Sequence, residues 1–160
     1  MMGVGKSTIG KRLSKKLKIK FIDIDKLIEK KEGSTINAIF ENKGESYFRK
    51  IEKKVTLSEI KKTHSVIALG GGAFINTSIR KEVKNSCISF WLDLRKDHLL
   101  KRLKNLSKRP LLSSRNLNET INKIYSERKK FYNESNFKID CNLLEKEEIV
   151  NKILDLYENT

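Results

Sequence analysis

Four short apolar runs, each followed by a helical pattern, constrain this chain more than any other feature. The runs are Lys20 to Asp25, Val66 to Leu69, Cys87 to Leu92 and Phe137 to Cys141. A helix is predicted over Lys6 to Leu17, because Ile9, Leu13 and Leu17 recur on one helical face. A broken helical region follows around Lys26 to Lys31 and Thr35 to Glu41, then a longer helix over Glu45 to Lys61. Further helices are predicted over Ser78 to Val83, Lys96 to Leu103, Asn118 to Asn133 and Lys146 to Tyr157. Strands alternating with helices imply an α/β fold with a parallel sheet covered on both faces. In such open sheets ligands sit beyond the carboxyl ends of the strands, and the motifs described next fall there.

The first of them is Gly3-Val4-Gly5-Lys6-Ser7-Thr8. It matches the end of a phosphate-binding loop, G-x-x-x-x-G-K-[ST], which runs from a strand into a helix. The first glycine of the pattern would fall one position before Met1, and the preceding strand is missing too. In what remains, the backbone N–H groups of Gly3, Gly5 and Lys6 can point at phosphate oxygens. The start of the Lys6–Leu17 helix adds its positive dipole end. Lys6 can reach the β- and γ-phosphates, and the Ser7 hydroxyl can ligate Mg²⁺. The alternative is a disordered terminus ahead of a basic helix.

The second motif is Phe21-Ile22-Asp23-Ile24-Asp25. On a strand, Asp23 and Asp25 project from the same face. They read either as a solvated acidic edge or as a metal-side carboxylate beside a base that takes a proton from an alcohol. The third is Gly70-Gly71-Gly72, directly after Val66 to Leu69. It is either a flexible turn or a place where backbone approaches a ligand closely and donates N–H bonds.

Composition narrows the partners. The 160 residues fit a single domain over 1–160, long enough to fold without disulfides or metals. Two cysteines, with no C-x-x-C spacing, suit a reducing cytoplasm. No apolar run is long enough to span a membrane, and no signal peptide is visible. The net charge of +15 raises nucleic acid as a partner. The lysines, however, are spread over nearly every segment without a nucleic-acid motif, which reads as a solvated basic surface. Arginine accounts for only 8 of the 35 basic residues, so where it occurs a planar, bidentate fork is in demand. His64 and His98 lie in no metal-spaced cluster, and Phe90 and Trp91 read as core.

The loop remnant, F-x-D-x-D and L-G-G-G, in this order and spacing, resemble the shikimate kinases. Phe48-Arg49-Lys50-Ile51-Glu52, Lys108-Arg109-Pro110-Leu111-Leu112 and Arg128-Lys129-Lys130-Phe131-Tyr132 extend the resemblance from Met1 to about Leu156. It implies a three-layer P-loop kinase fold whose five-stranded parallel sheet runs in the order 2-3-1-4-5. The first, central strand is missing from this chain. The implied reaction moves the γ-phosphate of ATP to the 3-hydroxyl of shikimate, in chorismate and aromatic amino-acid synthesis. Asp25, Arg49, Gly71, Gly72 and Arg128 would bind shikimate, with Asp25, Lys6 and Arg109 catalytic. Gly3, Val4, Gly5, Lys6, Ser7 and Thr8 would hold ATP phosphates, and Arg102 would lie by the adenine. Ser7 would bind Mg²⁺, and Asp23 would do so through water. A substrate-binding region of about residues 26–61 and a lid of about residues 104–117 carrying Arg109 are implied, as is a monomer with no specific nucleic-acid or membrane partner. The residue types agree with these roles, since arginine forks suit a carboxylate and Asp25 offers two acceptors to hydroxyls. Asp140-Cys141-Asn142-Leu143 departs from the family in composition, so its contacts stay open, and Arg115 carries no firm role. Two other expectations compete: a related small-metabolite kinase acting on gluconate, and a truncated, poorly active copy.

Overall fold

The computed structural model describes residues 1, 3–62, 64–104 and 117–160, with the side chains of 102–104 and 117 left outside. Helix α1 (Lys6–Leu17) is entered through Gly5 at φ 95°, a left-handed backbone that glycine adopts without strain. Ile9 and Leu13 are buried, as their spacing predicts. Strand β1 (Lys20–Asp23) leads into α2 (Ile24–Glu32). Helix α3 (Ile36–Ile60) starts at Thr35, whose hydroxyl accepts the Ala38 N–H at 3.2 Å, and it is broken at Gly44 with φ 78° and ψ 168°. That break separates the two helical segments expected on either side of it.

Strand β2 (Ser65–Ala68) ends at the glycine triple and a 3-10 turn, Ala73–Ile75. Then come α4 (Thr77–Ser86), β3 (Phe90–Asp93), α5 (Lys96–Lys104), α6 (Leu117–Tyr132), β4 (Phe137–Asp140) and α7 (Lys146–Glu158). Strand β3 begins later than the apolar run from Cys87 predicts. The Cys87 N–H still bonds to Val83 O at 2.9 Å, closing α4, and the Ser89 N–H is taken by Asn136 Oδ1 at 3.0 Å.

All strand pairing is parallel. β1 pairs with β2, from Lys20↔Ser65 to Asp23↔Ala68, and β3 pairs with β4, from Phe90↔Phe137 to Asp93↔Asp140. Among the described residues no strand joins β2 to β3. A 2-3-1-4-5 sheet without its first strand leaves these same two pairs, so the ladders agree with the expected order.

Two apolar clusters hold the layers. One gathers Ile9 and Leu13 of α1 with Trp91, Leu92, Ile139, Val150 and Ile153. The other gathers Ile22, Ile24, Ile28, Ile39, Phe48 and Val55 beneath β1. Ile67 and Leu69 pack against both, so β2 and the residue that follows it form the seam. On the outside, Arg12 and Lys16 of α1 pair with Glu147 of α7 at 3.0 and 2.5 Å.

Candidate active site

The glycine-rich loop turns on two left-handed residues, Gly3 at φ 75° and Gly5 at φ 95°. Val4 between them is buried in the core, so the loop is anchored by one side chain while its backbone stays free to bind. Lys6 Nζ donates to Met1 O at 2.7 Å across the loop. Ser7 Oγ donates to Asp23 Oδ2 at 2.5 Å, which ties the loop to the end of β1. Thr8 is exposed and lines a shallow depression with Ser7, Lys11 and Arg12.

The two aspartates do not share a strand face. The strand ends at Asp23, whose Oδ1 accepts the Lys26 N–H at 3.3 Å and so caps α2. Side-chain capping outcompetes further extension here. Asp25 therefore stands in the first turn of α2, where a carboxylate is favoured by the helix dipole. Asp23 is tied to the glycine-rich loop through Ser7, and Asp25 faces the glycine triple.

That triple is held close by charged side chains. A Cβ built on Gly70 would lie 2.5 Å from Glu52 Oε1 and 2.8 Å from Asp25 Oδ1. A Cβ on Gly72 would lie 2.5 Å from Arg49 Nη1. Neither glycine has a positive φ, so closeness rather than backbone freedom is the constraint, and a side chain at either would displace these charged groups. Arg49 donates from Nη1 to Glu52 Oε2 at 2.7 Å, and from Nε and Nη2 to Glu45 Oε1 at 3.1 and 2.9 Å. It also lies over the rings of Phe48 and Phe40. From α6, Arg128 is buried at 7% exposure, and Tyr132 Oη donates to Gly71 O at 2.5 Å.

The electrostatics of this cluster are uneven. Burial raises the Glu52 carboxyl above its usual range and Asp25's charge adds to the rise, against the opposing charge and hydrogen bond of Arg49. Burial alone would lower Arg49, but the charges and hydrogen bonds of Glu52 and Glu45 outweigh it and the net shift is upward. The pair thus pulls in two senses. At 2% exposure and beside a second carboxylate, burial decides for Glu52. A cluster of arginines, carboxylates and bare backbone has the chemistry to hold a small hydroxylated anion.

Comparison with known proteins decides the family. The sequence model of the family described as "Shikimate kinase" matches residues 2–158. The chain belongs to the shikimate kinase family. A shikimate kinase of Sulfurihydrogenibium sp. (strain YO3AOP1) is 43% identical over 153 residues, covering 96% of this chain and 91% of that protein. The solved shikimate kinase from Acinetobacter baumannii in complex with shikimate superposes with TM-score 0.94 at 32% identity, covering 99% and 89% of the two chains. The enzyme from Aquifex aeolicus superposes with TM-score 0.87 at 38% identity, covering 99% and 93%.

The structure places the candidate residues in two groups. Gly3, Gly5, Lys6, Ser7 and Asp23 meet at one end of the site, and Asp25, Arg49, Gly71, Gly72 and Arg128 at the other. Arg109, Arg115 and most of the expected lid lie outside the described residues, as does the side chain of Arg102. Sequence reasoning left Glu52 and Tyr132 without roles. Glu52 is one helical turn after Arg49, and Tyr132 one turn after Arg128. Spacing alone could have placed each on the face of its arginine, but not shown that both are buried.

Proposed function

We propose that this shikimate kinase family member transfers the γ-phosphoryl group of ATP to the 3-hydroxyl of shikimate. The observation that carries the reading is the meeting of Asp25, Arg49 and Arg128 around Gly70–Gly72, next to a loop built for phosphate.

The backbone of Gly3, Gly5 and Lys6 holds the phosphates, with Lys6 moving from Met1 O to the β- and γ-oxygens. Val4 and Thr8 complete the loop, one by anchoring it and one by its place in the first turn of α1. Three of Arg49's five N–H donors bond to Glu45 and Glu52, which leaves two for the shikimate carboxylate. Arg128 supplies the second fork. The N–H groups of Gly71 and Gly72 hold substrate oxygens.

Asp25 accepts the hydrogen bond of the 3-hydroxyl and orients it. As the hydroxyl oxygen bonds to the γ-phosphorus, the bond from that phosphorus to the bridging oxygen breaks and ADP leaves. The proton passes to an Asp25 carboxylate oxygen. Arg109 and Arg102 act from the lid side on the phosphates and the adenine.

Ser7 and Asp23 fit a divalent cation. Their two hard oxygens lie 2.5 Å apart, and Asp23 Oδ1 is already turned to the Lys26 N–H. Such a donor pair suits Mg²⁺, which keeps several waters and adds substrate phosphates. Ser7 would bind it directly and Asp23 through water. A cation held by Ser7 and Asp23 would supply charge neutralisation to the ATP phosphates.

The enzyme works as a cytoplasmic monomer in this reading. Neither Cys87 nor Cys141 is in a disulfide, which suits a reducing compartment. Among the described residues, no helix is long and apolar enough to cross a membrane.

A coupled ADP-release assay with shikimate, gluconate and nucleoside monophosphates tests the reading. ADP release that depends on shikimate alone is expected. Equal or greater release with gluconate or a nucleotide acceptor would overturn it.

A further inference from the structure

Tyr132 lies at the junction of the elements that build the acceptor end of the site. It is the last residue of α6, one helical turn beyond Arg128. It is buried at 6% exposure, and its ring packs against Trp91 with centroids 5.8 Å apart. Its hydroxyl donates to Gly71 O at 2.5 Å. Met1 Sδ lies 3.9 Å away, a weak acceptor beside that carbonyl.

The Gly71–Gly72 peptide is trans, since the chain has no cis bonds among the described residues. In a trans peptide the carbonyl of one residue and the N–H of the next point in opposite directions. Fixing Gly71 O therefore fixes the direction of the Gly72 N–H. Without a side chain, Gly71 and Gly72 would otherwise be free to rotate this peptide. Gly72 is also the residue against which the Arg49 guanidinium packs.

The same phenol meets the arginines. A hydroxyl can donate one hydrogen bond and accept two. With its proton on Gly71 O, its lone pairs are left for the Arg128 guanidinium. Burial raises the Tyr132 hydroxyl's pKa, opposed by the charge and hydrogen bond of Arg128 and the charge of Arg49, while Glu52's charge adds to the rise. The group stays a neutral hydroxyl that both donates and accepts at neutral pH.

We propose that Tyr132 is a positioning residue for the acceptor substrate: its one hydroxyl aims the Gly72 N–H and seats Arg128, coupling α6 to the glycine turn. This rests on the assignment of that end of the site to shikimate. Tyr132 does not touch the reacting atoms. It determines affinity for the acceptor and meets the glycine-rich loop through the weak contact to Met1 Sδ.

Tyr132→Phe tests this, because it keeps the ring against Trp91 and removes only the hydroxyl. In the full chain without substrate, hydrogen exchange at the Ala73 amide, which bonds to Gly70 O across the glycine turn, should be faster by about tenfold or more, with the β3 and β4 amides unchanged. Shikimate affinity, measured calorimetrically, should fall about tenfold, with ATP affinity and kcat within about twofold of wild type. A purely structural tyrosine would lower Tm and speed exchange across the fold while leaving the ratio of shikimate to ATP affinity unchanged. That result, or unchanged Ala73 exchange, would overturn the proposal. Failure of the wild-type chain to bind shikimate would overturn the substrate assignment instead. The exchange measurement still decides whether Tyr132 orients the peptide.

Discussion

The guanidinium of Arg49 fills the space that a side chain at Gly72 would need, with Nη1 only 2.5 Å from where a Cβ would stand. The arginine is the mobile partner, so Gly72→Ala should move it rather than break the fold. Arg49 would lose its seat beside the turn while keeping Glu45 and Glu52 within reach. The expected result is a shikimate KM raised about tenfold, some 1.4 kcal/mol, with ATP KM little changed. Steady-state kinetics with each substrate varied in turn checks it.

Gly10 carries a different constraint. A Cβ there would lie 2.5 Å from Phe21 Cε2, where α1 crosses β1. The half-buried phenyl ring would have to shift off the helix to make room. Gly10→Ala should cost about 1–3 kcal/mol in urea denaturation despite alanine's better helix propensity. Adding Phe21→Leu should return part of the loss, as coupled neighbours do.

Separation of the two aspartates gives distinct phenotypes. Asp25→Asn should lower kcat by about 10²–10⁴-fold with ATP binding largely intact. Asp23→Ala removes the α2 cap, expected to cost about 0.5–2 kcal/mol of stability, and weakens Mg²⁺-dependent nucleotide binding. Thermal melts and nucleotide titrations with and without Mg²⁺ distinguish them. Near-normal turnover in Asp25→Asn would show that Asp25 is not the base.

Glu52 predicts a pH effect. Burial first, and the Asp25 charge after it, hold its carboxyl above the usual range despite Arg49. The native state therefore binds this proton more tightly than the unfolded chain. The stabilisation is complete below the unfolded pKa and is lost as pH rises through the raised folded value. Glu52→Gln stays neutral throughout. Its Tm relative to wild type should shift in the variant's favour as pH rises from about 4 to about 7. A flat or opposite trend would place Glu52 in the ordinary carboxylate range.

Much of this site was legible in the chain. The alternation of strand and helix gave the layers, and Gly44 interrupts α3 between its two predicted segments. The glycine loop, the glycine triple and the scarce arginines pointed to the groups that meet. Asp25 was misplaced on β1 because an i, i+2 pattern fits a strand as well as a capped helix start. Only the Lys26 N–H on Asp23 decides between them. Glu52 and Tyr132 were not legible for another reason. Burial of a glutamate on a helix, or the partner of a phenol, depends on elements far away in sequence. Those are the Gly70 backbone and Asp25 for the one, and Gly71 and Trp91 for the other.

The central claim concerns which hydroxyl receives the phosphoryl group. ³¹P–¹H correlation NMR of the product formed from shikimate and ATP tests it most directly. The account predicts one phosphate ester, coupled to the ring proton on the carbon that bears the 3-hydroxyl, formed in step with ADP. A phosphate ester at another hydroxyl, or ADP accompanied only by inorganic phosphate, would contradict it.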